Sequence, residues 1–121
     1  MSIVATIDTS RLQPMLRRAS RIQRANLKRV MVRGGERILA QSQREVPRRT
    51  GFLANSRFLR VEDTRTTIAV TIGYSAPYAI FVENAPPGTR FRVGKRHYLR
   101  DPVNRNRRRI LREMKQALVV R

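Results

Sequence analysis

Eight acidic side chains and one histidine are the residues of this chain with ordinary acid–base or metal-ligand chemistry near neutral pH. The acids are Asp8, Glu36, Glu45, Glu62, Asp63, Glu83, Asp101 and Glu113. General acid–base work needs such groups to converge on one substrate. No spacing here brings two carboxylates to one face of an expected element. Asp8 and Asp101 sit where helix caps belong, and Glu62-Asp63 falls in an expected turn. His97 stands beside Lys95 and Arg96 without a nucleophile and reads as a surface residue. The absence of cysteine excludes disulfides, thiol catalysis and cysteine-ligated zinc. A single histidine excludes a multi-histidine metal site. Gly34-Gly35 lacks the Lys-Ser/Thr of a phosphate loop. The expectation is a protein that is not an enzyme and takes no cofactor and no metal.

The remaining chemistry is cationic. Twenty-seven Lys and Arg against eight Asp and Glu leave a net charge of +19. A small domain needs a magnitude of only about 2–8 for solubility. The excess is uneven. Residues 1–60 carry +11, residues 61–89 carry −2, and residues 90–121 carry +10. Arg17, Arg21, Arg24 and Lys28 recur at helical steps, as do Arg105, Arg108, Arg109 and Arg112. Arg90, Arg92, Lys95 and Arg96 form a third basic group. These side chains suit nucleic acid, acidic protein surfaces or plain solvation. Arginine stripes bind phosphate without reading sequence. Aromatic residues make up only 6% of the chain, with no Trp. No ribonucleoprotein aromatic motif, zinc-finger spacing or helix-turn-helix is visible.

The elements that must carry these residues follow from periodicity. At 121 residues the chain suits one domain, 1–121, able to bury about two thirds of its unfolded surface. Ile3 to Ile7 alternates as a short edge strand would. Asp8, Thr9 and Ser10 offer caps to a long helical pattern reaching about Glu45. Its apolar stripe is Leu12, Met15, Leu16, Ala19 and Ile22, continued by Leu27, Met31 and Ile38. Unbroken, that helix would be roughly 54 Å long. Gly34-Gly35 interrupts it, as a kink, a split or a point of close packing. Val46-Pro47 ends it. Leu59 and Val61, then Ile68, Val70 and Ile72, show the period of two of an antiparallel pair. Gly73 closes the second strand. Residues 75–83 read as a short helix on the sheet, and 84–95 as a loop with an extended arm, 90–93. Tyr98-Leu99 re-enters the core. Asp101 caps a last helix with Pro102 at its first position, and Val103, Ile110, Met114 and Ala117 form its apolar stripe. The fold class is α+β: a long N-terminal helix, a small antiparallel sheet with a short helix and loop arm, and a C-terminal helix. The longest apolar run, 76–82, contains Pro77 and is far short of the roughly 20 residues of a membrane helix. No basic stretch followed by an apolar run marks a secretory signal, so the expected compartment is the cytoplasm or an assembly made there.

Three segments resemble those of one family. Val46-Pro47-Arg48-Arg49-Thr50-Gly51-Phe52-Leu53-Ala54-Asn55-Ser56 resembles the P-x-x-T-G-x-L-x-x-S segment of neck and tail-completion proteins of long-tailed bacteriophages. Tyr78-Ala79-Ile80-Phe81-Val82-Glu83 resembles the family's Y-A-x-x-V-E segment after a β-hairpin. Arg96 to Pro102, with Leu99, is similar to the segment that leads into its last helix. The order and gaps match over about residues 10–118. The departures are Asn84-Ala85 where glycine commonly follows the Glu, Tyr98 for Phe, and Val103 for Ala.

The residues have local readings too. Pro47 stops a helix, Thr50 bonds nearby backbone, Gly51 turns, Leu53 anchors in the core and Ser56 caps. Tyr78 suits a core edge or an interface. Glu83 suits helix-end hydrogen bonding, an internal Arg pair, or a salt bridge to the next subunit.

The resemblance implies a structural virion protein in the neck or tail, assembled in the host cytoplasm. It would form a homo-oligomeric, hexameric ring at the head–tail junction. Its partners would be a head-closure connector on one side and a tail terminator or tail-tube protein on the other. DNA would pass through the lumen, and no membrane is involved. The basic groups Arg90, Arg92, Lys95, Arg96, Arg105, Arg108, Arg109 and Arg112 would face DNA or a neighbouring ring. The alternative is a small basic protein that binds nucleic acid without sequence preference.

Overall fold

A computed structural model describes residues 3–47, 51–89 and 94–119. It is an α+β fold. Strand β1 (Ile3–Asp8) leads through a 3-10 turn (Ser10–Leu12) into a short helix α1 (Gln13–Arg17), then the long helix α2 (Arg21–Glu45). A single-turn helix α3 (Phe52–Asn55) precedes the hairpin of β2 (Arg57–Asp63) and β3 (Ile68–Tyr74). Helices α4 (Ala79–Glu83) and α5 (Arg100–Ala117) complete the chain.

The sheet has the order β1-β3-β2, with both pairs antiparallel. Strand β3 is central because its alternating residues are the most apolar. Ile68, Val70, Ile72 and Tyr74 are fully buried on one face. Ile7 and Ala5 of β1 pair with Val70 and Ile72, and Val61 and Leu59 of β2 pair with the same residues from the other side. The strand runs one residue past the expected stop. Gly73 lies inside it, opposite Val4, because a Cβ there would sit 2.0 Å from the Ile3 carbonyl oxygen.

Helix α2 covers the apolar face. Its glycine pair is a site of close packing, the third of the readings open from sequence. A Cβ on Gly35 would lie 3.1–3.3 Å from side-chain carbons of Val70, Ile72 and Leu59. A Cβ on Gly34 would lie 2.9 Å from Ile110 of α5. Adjacent glycines thus press one helix against the sheet and against a second helix at once. Leu27, Met31 and Ile38 share the buried side.

The expected single helix over about 10–45 is corrected in two respects. The chain breaks at residues 18–20, not at the glycines. Ser20 has an extended backbone and a reciprocal capping box with Gln23. Gln23 N–H donates to Ser20 Oγ at 3.1 Å, and Ser20 N–H donates to Gln23 Oε1 at 2.8 Å. These bonds satisfy backbone donors at a new helix start. The 25 residues of α2 therefore span only about 38 Å. The break also divides the expected apolar stripe: Leu12 and Leu16 are buried, while Met15 is 37% and Ile22 74% exposed.

The last helix starts differently as well. Asp101 does not cap α5, whose N-cap position is Leu99 and which has no local side-chain cap. Its buried stripe is Pro102, Asn106, Ile110 and Met114, with Val103 and Ala117 half-buried.

Candidate functional site

The three family-like segments meet in space. Pro47 follows Val46, whose extended backbone ends α2 while its N–H still bonds the Ser42 carbonyl at 2.8 Å. Gly51 has φ +82°, a left-handed geometry that disfavours side chains, and opens α3. Leu53 and Ala54 are buried. Ser56 then joins the first segment to the second. Its Oγ donates to the Leu53 carbonyl at 2.7 Å and accepts from Ala76 N–H at 3.1 Å. Its carbonyl accepts from Ser75 N–H at 3.0 Å.

These bonds place Phe52 against Tyr78, ring centroids 6.0 Å apart. Both rings remain open to solvent, Phe52 at 57% and Tyr78 at 41%, and Phe81 on α4 is 69% exposed. Phe52 and Phe81 were not singled out from the sequence, where an isolated aromatic in a short helix carries no periodic signal. Their exposure is decided by the turns on either side.

The opposite side of α4 is locked to the core and to α5. Ala79 is fully buried, and its carbonyl accepts from the Tyr98 hydroxyl at 2.8 Å. Tyr98 meets Tyr74 edge-on at 5.1 Å. The Tyr74 hydroxyl lies 2.7 Å from Ser42 Oγ and accepts from Gln43 Nε2 at 3.0 Å. Burial is the main reason the Tyr98 hydroxyl titrates far above an ordinary tyrosine, with the nearby Glu83 carboxylate adding to it.

Glu83 is 3% exposed, and both its oxygens are used. One accepts from Leu99 N–H at 3.1 Å, the other from Arg100 N–H at 2.8 Å. A carboxylate distant in sequence therefore caps α5, which explains why no local residue does. A negative group also suits the positive end of the helix dipole. Leu99 and Pro102 pack at the same junction, both buried. His97 is half-buried rather than on the surface, at φ +56°, and its buried Nδ1 has no hydrogen-bond partner among the described residues.

The basic candidates divide. Lys95 forms ion pairs with Asp101 at 2.7 Å and Glu45 at 3.6 Å, and Arg105 pairs with Glu45. The hydrogen bond from Lys95 is the largest reason the Asp101 carboxyl is held below the usual aspartate range. The same bond raises the Lys95 ammonium above the usual lysine range. Gly94 allows this loop to close on the end of α2, because a Cβ would lie 2.5 Å from the Glu45 carbonyl oxygen. Arg96 donates to the Ala85 carbonyl at 3.1 Å. Arg109 pairs with Glu113 at 3.5 Å, which also holds Arg37 at 3.2 Å. Arg108 and Arg112 are exposed and form no ion pair among the described residues. Thr50, Arg90 and Arg92, with the expected arm 90–93, lie outside the described residues. In the N-terminal stripe, Arg24 and Lys28 both reach Asp63, at 3.5 and 3.4 Å. Glu62 and Asp63 are the last two residues of β2, paired with Ala69 and Ile68, and not part of the turn expected from sequence.

Among the described residues no group of three His, Cys, Asp or Glu side chains could hold a metal ion. No helix among them is long and apolar enough to cross a membrane. What the arrangement offers is a set of solvent-exposed aromatic rings at α3 and α4, Phe52 against Tyr78 and Phe81 one helical turn further on, mounted on a hydrogen-bonded junction.

A fold and site of this kind define a structural module. The family model described as "Bacteriophage HK97-gp10, putative tail-component" matches residues 10–84. The chain belongs to this family of phage tail components, which are parts of the virion. No curated protein and no solved structure matches it significantly.

Proposed function

We propose that this chain is a subunit of an oligomeric ring at the phage head–tail junction, joining a head-closure connector to the tail. The observation that carries the reading is the exposed cluster Phe52, Tyr78 and Phe81. It is built by the first two family-like segments and held in place by hydrogen bonds that Ser56, Ala79 and Glu83 accept. A monomer gains nothing from rigidly presenting three aromatic rings to water. An interface core enriched in aromatic residues does. The ring would be hexameric, with DNA in its lumen.

The test is assembly. Y78E/F81E in the full chain exchanges apolar area for charge at exposed positions, so the monomer should unfold at the unchanged temperature. Native mass spectrometry and negative-stain images should show rings for the parent chain and monomers for the variant. A parent chain that stays monomeric at every concentration, even with connector or tail proteins added, would sink the proposal. Particles carrying R105Q/R108Q/R109Q/R112Q should fail at head–tail joining if that face is also an interface.

The alternative, a nucleic-acid binder without sequence preference, draws on Arg108 and Arg112, which form no ion pair among the described residues. Its affinity would fall steeply with salt. Salt-insensitive binding, or none at low salt, removes it.

A further inference from the structure

A cleft of about 770 Å³ separates β1 and the 3-10 turn from α5. Its floor is aliphatic: Ile38, Ile110 and Met114 are buried there, and Ile7 and Leu111 half-buried. Its mouth is basic, since Arg11, Arg107 and Arg108 line it, all exposed and without an ion pair among the described residues. Asp8 also lines it, but one of its oxygens already accepts from Ser10 N–H and Oγ, at 3.0 and 2.6 Å. Thr6, Ile7 and Asp8 all touch the cleft. Successive strand residues point to opposite faces, so the cleft runs along the strand's edge. Among the described residues that edge is free, because β1 pairs there only with β3 and ends the sheet.

We infer that this cleft binds an extended, acidic segment of a different protein, which adds a strand to β1 and sinks aliphatic side chains between β1 and α5. The free edge supplies backbone hydrogen bonds, the floor takes alternate side chains, and the arginines take carboxylates. Charge selects a foreign partner over a second copy. Six of the eight carboxylates in this chain are engaged internally. Another copy therefore brings +19 and, among the described residues, only Glu36 and Glu62 without a partner. The lining disfavours nucleic acid: no aromatic ring is among the described lining residues to stack a base. The inference concerns the surface of one chain and holds whether or not a ring closes.

The test uses the full chain and three fluorescent probes. The first is a peptide of about eight residues alternating Glu and Val, the second has Ser for each Val, and the third is an oligothymidylate of equal charge. The Glu-Val peptide should bind, with the other two weaker by about tenfold. R107E/R108E should weaken it about tenfold with the unfolding temperature unchanged. R33E/R44E, which alters two exposed arginines of α2 away from the cleft, should not. Amide hydrogen exchange over residues 3–8 should slow when peptide binds. Equal binding of the oligothymidylate would make the cleft part of a general polyanion face and overturn the inference. So would equal loss in R33E/R44E, unaltered exchange in β1, or no peptide binding.

Discussion

Glu83 shows how one side chain ties a motif to the fold. Its two oxygens complete the N-terminus of α5, and the group is shut away from water. Removing it leaves two backbone donors unsatisfied in a buried site, which costs about 1–3 kcal/mol each. Glu83→Ala should lower stability by about 3 kcal/mol in chemical denaturation, and Glu83→Gln by less, because one acceptor remains. Parent-like stability of the alanine variant would contradict the capping role. The Lys95–Asp101 pair has a definite pH signature. Asp101 is lowered in the fold, so its contribution is complete above the ordinary aspartate range near pH ~4 and is lost as pH falls through the lowered value. Lys95 is raised, so its contribution is complete below about pH 10 and is lost as pH rises through the raised value. Both side chains are well exposed, so the pair is worth at most about 1 kcal/mol. The difference in stability between parent and Asp101→Asn should be flat from about pH 5 to 9 and shrink in acid. Tyr98 adds an alkaline limit: its raised, buried hydroxyl should make the parent lose stability above about pH 10, and Tyr98→Phe less so.

Elements meet through small residues. Gly35 lets α2 approach β2 and β3, and Gly34 lets it approach α5. Leucine at position 35 would be driven into Val70, Ile72 and Leu59, and overpacking of that kind costs about 3 kcal/mol. At position 34 the contact is a single side chain, so the two sites should couple. Gly34→Ala and Ile110→Ala together should cost less than the sum of the two alone, by about 1 kcal/mol, measured in a double-mutant cycle. Strict additivity would mean that the helices are not in the described contact. The start of α2 depends on a different device. Ser20→Ala removes the capping acceptor and should cost about 1 kcal/mol.

The whole molecule is governed by unbalanced charge. Its acids are spent on internal work: Asp63 holds the hairpin to α2, Glu45 and Asp101 hold the loop at Lys95, and Glu113 joins α5 to α2. The remaining arginines repel one another across a small body. Screening should therefore stabilise this chain, although it weakens individual surface pairs. The unfolding temperature should rise between low and physiological salt, and a fall would mean that the ion pairs outweigh the net repulsion. The same excess favours partners that carry carboxylates or phosphates. Aromatic cluster and basic cleft are distinct surfaces, so loss of ring assembly in Y78E/F81E should leave peptide binding at the cleft intact.

Periodicity in the sequence was enough to determine the sheet-forming segments, the last helix and the α+β class, and Pro47 the stop of α2 at Val46, because these rest on local patterning and local sterics. The ordered motifs were enough to identify the family. The capping box at Ser20 and Gln23 was also written locally, but the strong apolar stripe around it suggested continuity. Other features had no local signature. Glu83 reaches α5 across 16 residues of chain, and Asp101, in the usual capping place, pairs instead with Lys95. Half of the N-terminal basic stripe, Arg24 and Lys28, is spent on Asp63, and Arg105 of the last helix is spent on Glu45, while Arg11 and Arg107 come together at one cleft. Charge and hydrogen bonding act through space, and only the tertiary structure decides which donors and acceptors become neighbours.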